Sequence, residues 1–341
     1  MGKRDYLSLT NLLSCFSICS MGLFYSHSSF STPKQDPYNT LTIQWENDAA
    51  STLKGTSDQY YTNGLRIGWT SPTDTLPQPV ADMNTFLLGK GMQRIHWGLQ
   101  QSIFTPRDTQ SSQRLPYDRP YAGVLLTTVN LISDTDDTRS VFGIQAGVLG
   151  PGAMGRQVQN GFHAITGDHK NRGWHNQLKS VPVFQVQMGR TWRFLAGHAG
   201  PVDFDILPSA NGAIGIYRIY GQIGSLFRFG QGLESDFGPA RIGSGNDGTD
   251  AYVGTCFVNW YLFGGVDGQA VAYNATLQGD PSKSHAQHVS KRSDVGEILA
   301  GAALIIKGYK IAYTQIWQTQ EFRGQKSGLF NYGSVSVSFK F

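Results

Sequence analysis

Alternation of apolar and polar residues is the dominant pattern along this chain. Leu41, Ile43 and Trp45 alternate with Thr42, Gln44 and Glu46, and Leu65, Ile67 and Trp69 repeat the pattern. Further runs are Ile95, Trp97 and Leu99; Leu125, Val129 and Leu131; Phe142, Ile144, Ala146 and Val148; and Phe184, Val186 and Met188. Later runs lie at 202–214, 217–229, 251–263, 296–306, 309–317 and 333–341. A period of two belongs to a strand with two unlike faces, so twelve strands are predicted. Segment 264–277 also alternates; a closed single-chain bacterial barrel holds an even number of strands, so it is taken as an extension of its neighbour. In the last run Val335, Val337, Phe339 and Phe341 alternate with Ser334, Ser336, Ser338 and Lys340. That is the form expected of a terminal barrel strand, with lipid outside and a polar lumen within.

The first thirty or so residues differ. Lys3 and Arg4 precede a moderately apolar stretch, Leu7 to Leu23, and a small polar run, Ser26 to Thr32. This reads as a secretory signal peptide cleaved between Ser26 and Ser31, which makes 1–31 a leader and 32–341 the barrel domain. Cys15 and Cys19 would leave with it, and Cys256 alone offers neither an internal disulfide nor a cysteine-based metal site. Beyond the leader no segment has the ~18 apolar residues of a helical span, so a membrane role must be built from strands. The predicted class is all-β: a 12-stranded antiparallel transmembrane β-barrel with short helical segments in its loops. A soluble β-sandwich also alternates, but it explains neither the leader nor the aromatic end.

Composition narrows the partners. With 28 Lys+Arg against 24 Asp+Glu in 341 residues, the net charge of +4 is too small and too evenly spread to advertise a nucleic-acid surface. It suits an anionic lipid headgroup.

With both termini periplasmic, the connections 48–60, 105–118 and 150–181 emerge at the outer surface, and 71–94 holds a short helix around Val80 to Leu88. Four clusters then matter. Glu46, Asn47 and Asp48 end the first strand and Asp58 to Gly64 open the second, which brings Asp48 and Thr62 together at one rim. Their carboxylate, amide and hydroxyl oxygens suit a hard cation, although Asn-Asp before a loop is also an ordinary turn. Arg119, followed by Pro120 and Tyr121, either clamps a phosphate or carboxylate or is a charge solvated in the rim or paired with a lumen carboxylate. In the Gly-rich stretch 150–167, Val158, Phe162 and Ile165 share one helical face, so a helix ending at Gly167 is predicted; Gln159 and His163 share another. A histidine held by amides beside a cation can take a proton from water near neutral pH, or it is simply exposed. The remaining signals are weaker. Gly243, Gly245 and Gly248 precede a strand-like run and read as a turn. Asp134, Asp136 and Asp137 read as solvated residues of a periplasmic turn. His285 and His288 are read as, at most, an adventitious metal pair.

Together these residues resemble the lipid A 3′-O-deacylase family of outer-membrane barrels. The matching pieces are Glu46-Asn47-Asp48, Tyr61-Thr62-Asn63-Gly64, Asp118-Arg119-Pro120-Tyr121-Ala122-Gly123, Val158-Gln159-Asn160 with His163, and Gly173-Trp174 with Gln177-Leu178. Tyr273-Asn274-Ala275 with Leu277 and Glu321-Phe322-Arg323-Gly324-Gln325 complete the set. The resemblance implies calcium-dependent ester hydrolysis of lipid A, within lipopolysaccharide, in the outer membrane of a Gram-negative bacterium. It implies His163 as general base, Asn47, Gln159 and Thr62 as active-site partners, and Ca2+ held by Asp48, Thr62 and Asp168. The family's acidic position after the histidine falls at Asp168 or His169. Arg119 and Tyr121 are candidate substrate contacts, and an apolar slot between lumen and lipid near Trp45, Trp69 or Tyr121 would admit the acyl chain. The competing expectations are a non-enzymatic pore or surface-interaction barrel, and a barrel phospholipase.

Overall fold

The computed structural model describes residues 35–51, 59–200, 202–242, 250–255, 257–279 and 288–341. The leader, Asp58, the glycine pattern 243–248 and His285 lie outside the described residues. The strands are β1 (Thr40–Asn47), β2 (Tyr60–Thr70), β3 (Met92–Thr105), β4 (Ala122–Asp134), β5 (Thr138–Leu149), β6 (Val181–Trp192) and β7 (Phe194–Ala199). They continue with β8 (Val202–Gly215), β9 (Arg218–Gln231), β10 (Val258–Asn274), β11 (Asp294–Ile306), β12 (Tyr309–Gln318) and β13 (Phe330–Lys340). β1 pairs with β13 and β6 with β8, which closes the ring. β7 carries β6 past a break at Arg193 and pairs with the same β8. The thirteen segments therefore make twelve staves, the closed antiparallel barrel that the alternation implies.

The alternation works as a lipid-lumen code. In β1, Thr40, Thr42, Gln44 and Glu46 are buried in the lumen, while Ile43 and Trp45 are exposed on the wall. Closure satisfies every wall strand's backbone without an edge, the condition for crossing hydrocarbon. Three helices decorate the ends: α1 (Gln78–Leu88) in the long periplasmic connection, α2 (Gly155–Thr166) in the third outer loop and α3 (Ala275–Gln278) after β10. The first two fall where the sequence places them, and α2 ends on Gly167 at φ 82°, a left-handed cap that glycine adopts without a Cβ penalty. Segment 264–277 extends its neighbour as far as Asn274, where the strand from Val258 ends, and its last three residues belong to α3.

Two readings need correction. The run 251–263 is not one strand: β10 begins at Val258, and 250–255 belong to the β9–β10 connection, which folds back into the lumen. Ala240 O accepts from Gln44 Nε2 at 3.0 Å, Ile242 N donates to Glu46 Oε1 at 3.2 Å, and Tyr252 OH donates to Gly308 O at 2.6 Å. Tyr252 is buried by this plug, so it mimics a strand's inward residue. The plug is pinned by charge: Asp250 to Arg66, Arg241 to Asp267 and Glu297, and Asp236 to Arg228 and Lys310. Asp134 is likewise not solvated. It is buried, 2.6 Å from Arg94 and 2.7 Å from Arg139, because lumen-facing guanidinia at the inner end demand a counter-charge.

Candidate active site

The site is built on the outside of the wall at the outer rim. Asn47 stands opposite Asn63 in the β1–β2 ladder and donates to its Oδ1 at 3.2 Å, as does Trp45 Nε1 at 2.9 Å. The β2–β3 register slips between Tyr61 and Asn63, which leaves Thr62 as an extra residue in a bulge. A bulge re-aims a side chain. Here Tyr61 turns inward, its hydroxyl donating to Glu46 Oε2 at 2.9 Å, while Thr62 Oγ1 meets Thr105 Oγ1 at 2.8 Å. Thr105 is in phase with Leu99 and Trp97 on the lipid-facing side of β3, so Thr62 lies on that side too. Glu46 belongs to the plug's anchorage and not to this face. Asp48 follows Asn47 in a 3-10 turn, is 1% exposed, and accepts from Gln59 N at 3.0 Å.

Against the outer face of β3 and β4 sits α2. Its start packs on Gly123, where a Cβ would come within 3.1 Å of Gly155 N, so the strand glycine allows the helix to approach. Gln101, on the same face, donates to Ala153 O at 2.7 Å, and Ile103, Tyr121 and Trp174 form a small core under the helix. Gln159 and His163 lie on the helix's buried side. Asp48, at the end of β1, and this helix on β3 and β4 are separated by two to three strand-to-strand steps, about 10–15 Å. The structure thus gathers Asn47, Asp48, Thr62, Gln159 and His163 on one sector.

Hydrogen bonds fix the polarity of the two helical groups. His163 Nδ1 lies 2.8 Å from the carbonyl oxygen of His169. A carbonyl has no proton to give, so Nδ1 carries the hydrogen and Nε2 bears the lone pair of the neutral ring. A backbone carbonyl is thus one holder of the imidazole, and position 169 contributes through its main chain. Trp174 Nε1, a donor only, gives its hydrogen to Gln159 Oε1 at 3.0 Å. With the oxygen so placed, the Gln159 amide nitrogen is the donor end of that side chain. Trp174 is 1% exposed and carries a role that spacing could not reveal, since 15 residues separate it from Gln159. Trp174→Phe removes this donor together with the ring edge that packs on Gly155; turnover is expected to fall at least about tenfold, the worth of the hydrogen bond, with a modest loss of stability. Steady-state kinetics beside a thermal melt check it.

The other candidates are placed elsewhere. Arg119 is buried, with Nη1 2.9 Å from Glu321 and Nη2 3.1 Å from Thr276 Oγ1. Burial lowers its pKa against the opposing pull of Glu321, so its charge serves an internal pair, the second of the two readings of this residue. Tyr121 packs on Trp174 at 4.8 Å between ring centres and donates to Thr109 O. Asn160 ties down the following loop through Asn171. Asp168 is exposed and accepts from Thr166 Oγ1 at 2.6 Å. His288 is exposed. No slot opens through the wall near Trp45: the β1–β2 ladder is continuous from Thr40–Thr70 to Asn47–Asn63. Trp69 pairs with Leu41 near the periplasmic end, far from this rim.

The donor chemistry at Asp48, Thr62 and the neighbouring amides fits a hard cation. Among the described residues no three His, Cys, Asp or Glu side chains are gathered as a metal cluster. A calcium ion there would therefore take most of its ligands from amide, hydroxyl, main-chain and water oxygens.

Residues 12–341 match the model of the family described as outer membrane protein LpxR. Among solved structures, LpxR from Salmonella typhimurium superposes with a TM-score of 0.73 at 22% identity, covering 89% of this chain and 100% of that one. The β domain of the Bordetella autotransporter BrkA reaches a TM-score of 0.42 at 9% identity over 90% of this chain and 98% of that one, too low to bear on fold or function. No curated protein matches the sequence.

Proposed function

The chain belongs to the outer membrane protein LpxR family of lipid A enzymes, and from that premise we propose that it hydrolyses the ester linking an acyl chain to the 3′ position of lipid A. The observation that carries this reading is the His163 tautomer, held by the His169 carbonyl on a helix clamped to the lipid-facing wall beside Asn47, Asp48 and Thr62. His163 Nε2 removes a proton from water, and the resulting hydroxide attacks the ester carbonyl carbon. The acyl C–O bond then breaks, the proton passes from Nε2 to the departing sugar oxygen, and the products are a fatty acid and a free 3′-hydroxyl. Gln159, with its oxygen committed to Trp174, supplies an N–H donor to the charge that develops on the carbonyl oxygen, and the Asn47 amide helps align the ester. A calcium ion held by Asp48 and Thr62 would supply charge for the same oxyanion, and Asp168 would join them if the family's acidic position falls there and not at His169.

The plug supports this reading over a pore, because it occupies the passage that conduction would need. Purified protein in detergent with lipopolysaccharide is expected to release fatty acid, to stop on chelation and to resume with calcium. A site with so few carboxylates should bind in the weak range, about 10⁻⁴–10⁻³ M. Asp48→Asn should lower turnover about 100-fold, the scale for losing one oxyanion-stabilising group. Undiminished release in excess chelator, measured by mass spectrometry of the fatty acid, overturns the calcium part of the proposal.

A further inference from the structure

Opposite its water-facing polar residues, α2 exposes an apolar arc that the mechanism does not use. Met154, Val158, Phe162 and Ile165 are 53%, 40%, 50% and 86% exposed. With residues about 100° apart around a helix, Val158, Phe162 and Ile165 fall on one arc adjoining the buried Gln159–His163 side, with Met154 capping the helix start, while Arg156 and Asn160 lie across from it. An apolar arc of this size beside a polar one is the signature of a helix lying in a membrane interface. We propose that α2 is such a helix: its apolar arc rests in the acyl layer of the outer leaflet, so the barrel holds His163 at the depth where ester and hydrocarbon meet.

Two observations choose lipid as the occupant. The first is continuity with the wall's own lipid-facing belt. Gln101 anchors the turn before α2, and the next residues on the same face of β3, Leu99 and Trp97, are 40% and 43% exposed. The belt therefore runs from the wall onto the helix. The second is charge. Arg156, Lys170, Arg172 and Lys179 are exposed around α2 and its following loop, and α2 itself contains no acidic residue. Cations flanking an apolar arc suit the phosphates of an anionic leaflet. The inference rests on the barrel's place in a membrane and not on the deacylase reading.

The test places an environment-sensitive fluorophore at single cysteines, Phe162→Cys, Ile165→Cys and Arg156→Cys, with Cys15, Cys19 and Cys256 replaced by serine. Each protein is reconstituted in vesicles of phosphatidylcholine and lipopolysaccharide, with and without phospholipid brominated near the top of its acyl chains. Probes at 162 and 165 are expected to emit at shorter wavelength and to be quenched by bromine at least about twofold more than the probe at 156. Water-like emission at all three positions overturns the proposal. Blue-shifted but unquenched emission at 162 and 165 overturns it as well, because a protein surface would then cover the arc. Since the readout needs no turnover, quenched probes in a protein that releases no fatty acid would count against the deacylase reading alone.

Discussion

Replacing His163 with alanine is expected to lower fatty-acid release from lipopolysaccharide by roughly 100- to 10,000-fold, the range for removing a general base. The effect should appear in kcat with KM little changed, because the imidazole acts on water and proton and carries no binding contact in this account. Folding should survive. The side chain lies on a loop helix outside the barrel, and its hydrogen bond to the His169 carbonyl spans six residues within that loop. His163→Gln refines the result: it can keep a polar contact to the carbonyl but cannot take the proton, so it should be as inactive as the alanine variant. Single-turnover assays with an unchanged melting curve check both. A fully active His163→Ala protein would remove the proposed mechanism.

Replacing Asp236 with alanine is expected to cost about 3–5 kcal/mol of barrel stability, the scale for removing one partner of a buried ion pair. Asp236 accepts from Arg228 Nη1 at 2.6 Å and from the Tyr261 hydroxyl at 2.8 Å, and also meets Lys310 Nζ. Its loss leaves buried Lys310 without a carboxylate and Arg228 with Asp205 alone, and it releases the foot of the plug. Urea titration in detergent, followed by tryptophan fluorescence and by electrophoretic mobility, should show a lowered midpoint. Asp236→Asn should fall between wild type and alanine, since it keeps hydrogen-bonding atoms without the charge. An unchanged midpoint would mean that the plug is not held by this network.

The wall was legible because a barrel strand meets lipid on one face and water or polar side chains on the other, and that difference is written residue by residue. Ile43 and Trp45 against Gln44 and Glu46 carry it without help from the rest of the chain. The plug was not legible in the same way. Residues 232–242 and 250–255 have no strand period to announce them; their positions are set by Arg66, Lys310 and Gln44, which come from distant strands. Asp134 misled for the same reason, as its turn looks solvated until Arg94 and Arg139 are seen converging on it. At the site, the grouping of Gln159 with His163 followed from helical spacing, and that of Asp48 with Thr62 from hairpin adjacency. The outward aim of Thr62 did not, because it depends on one inserted residue in the β2–β3 register. Nor did the engagement of Arg119 by Glu321, a partner 202 residues away that only closure of the barrel brings near. The expected slot between lumen and lipid near Trp45 is not what the strands make there, because the β1–β2 ladder is continuous and Asn47 faces out from it.

The most direct test of the account is mass spectrometry of lipid A from cells that express the protein and from cells that express its His163→Ala variant. The account predicts a lighter lipid A, lacking ester-linked acyl chain at the 3′ position, in the first and unmodified lipid A in the second. Identical lipid A from both, or acyl loss confined to glycerophospholipids, would contradict it.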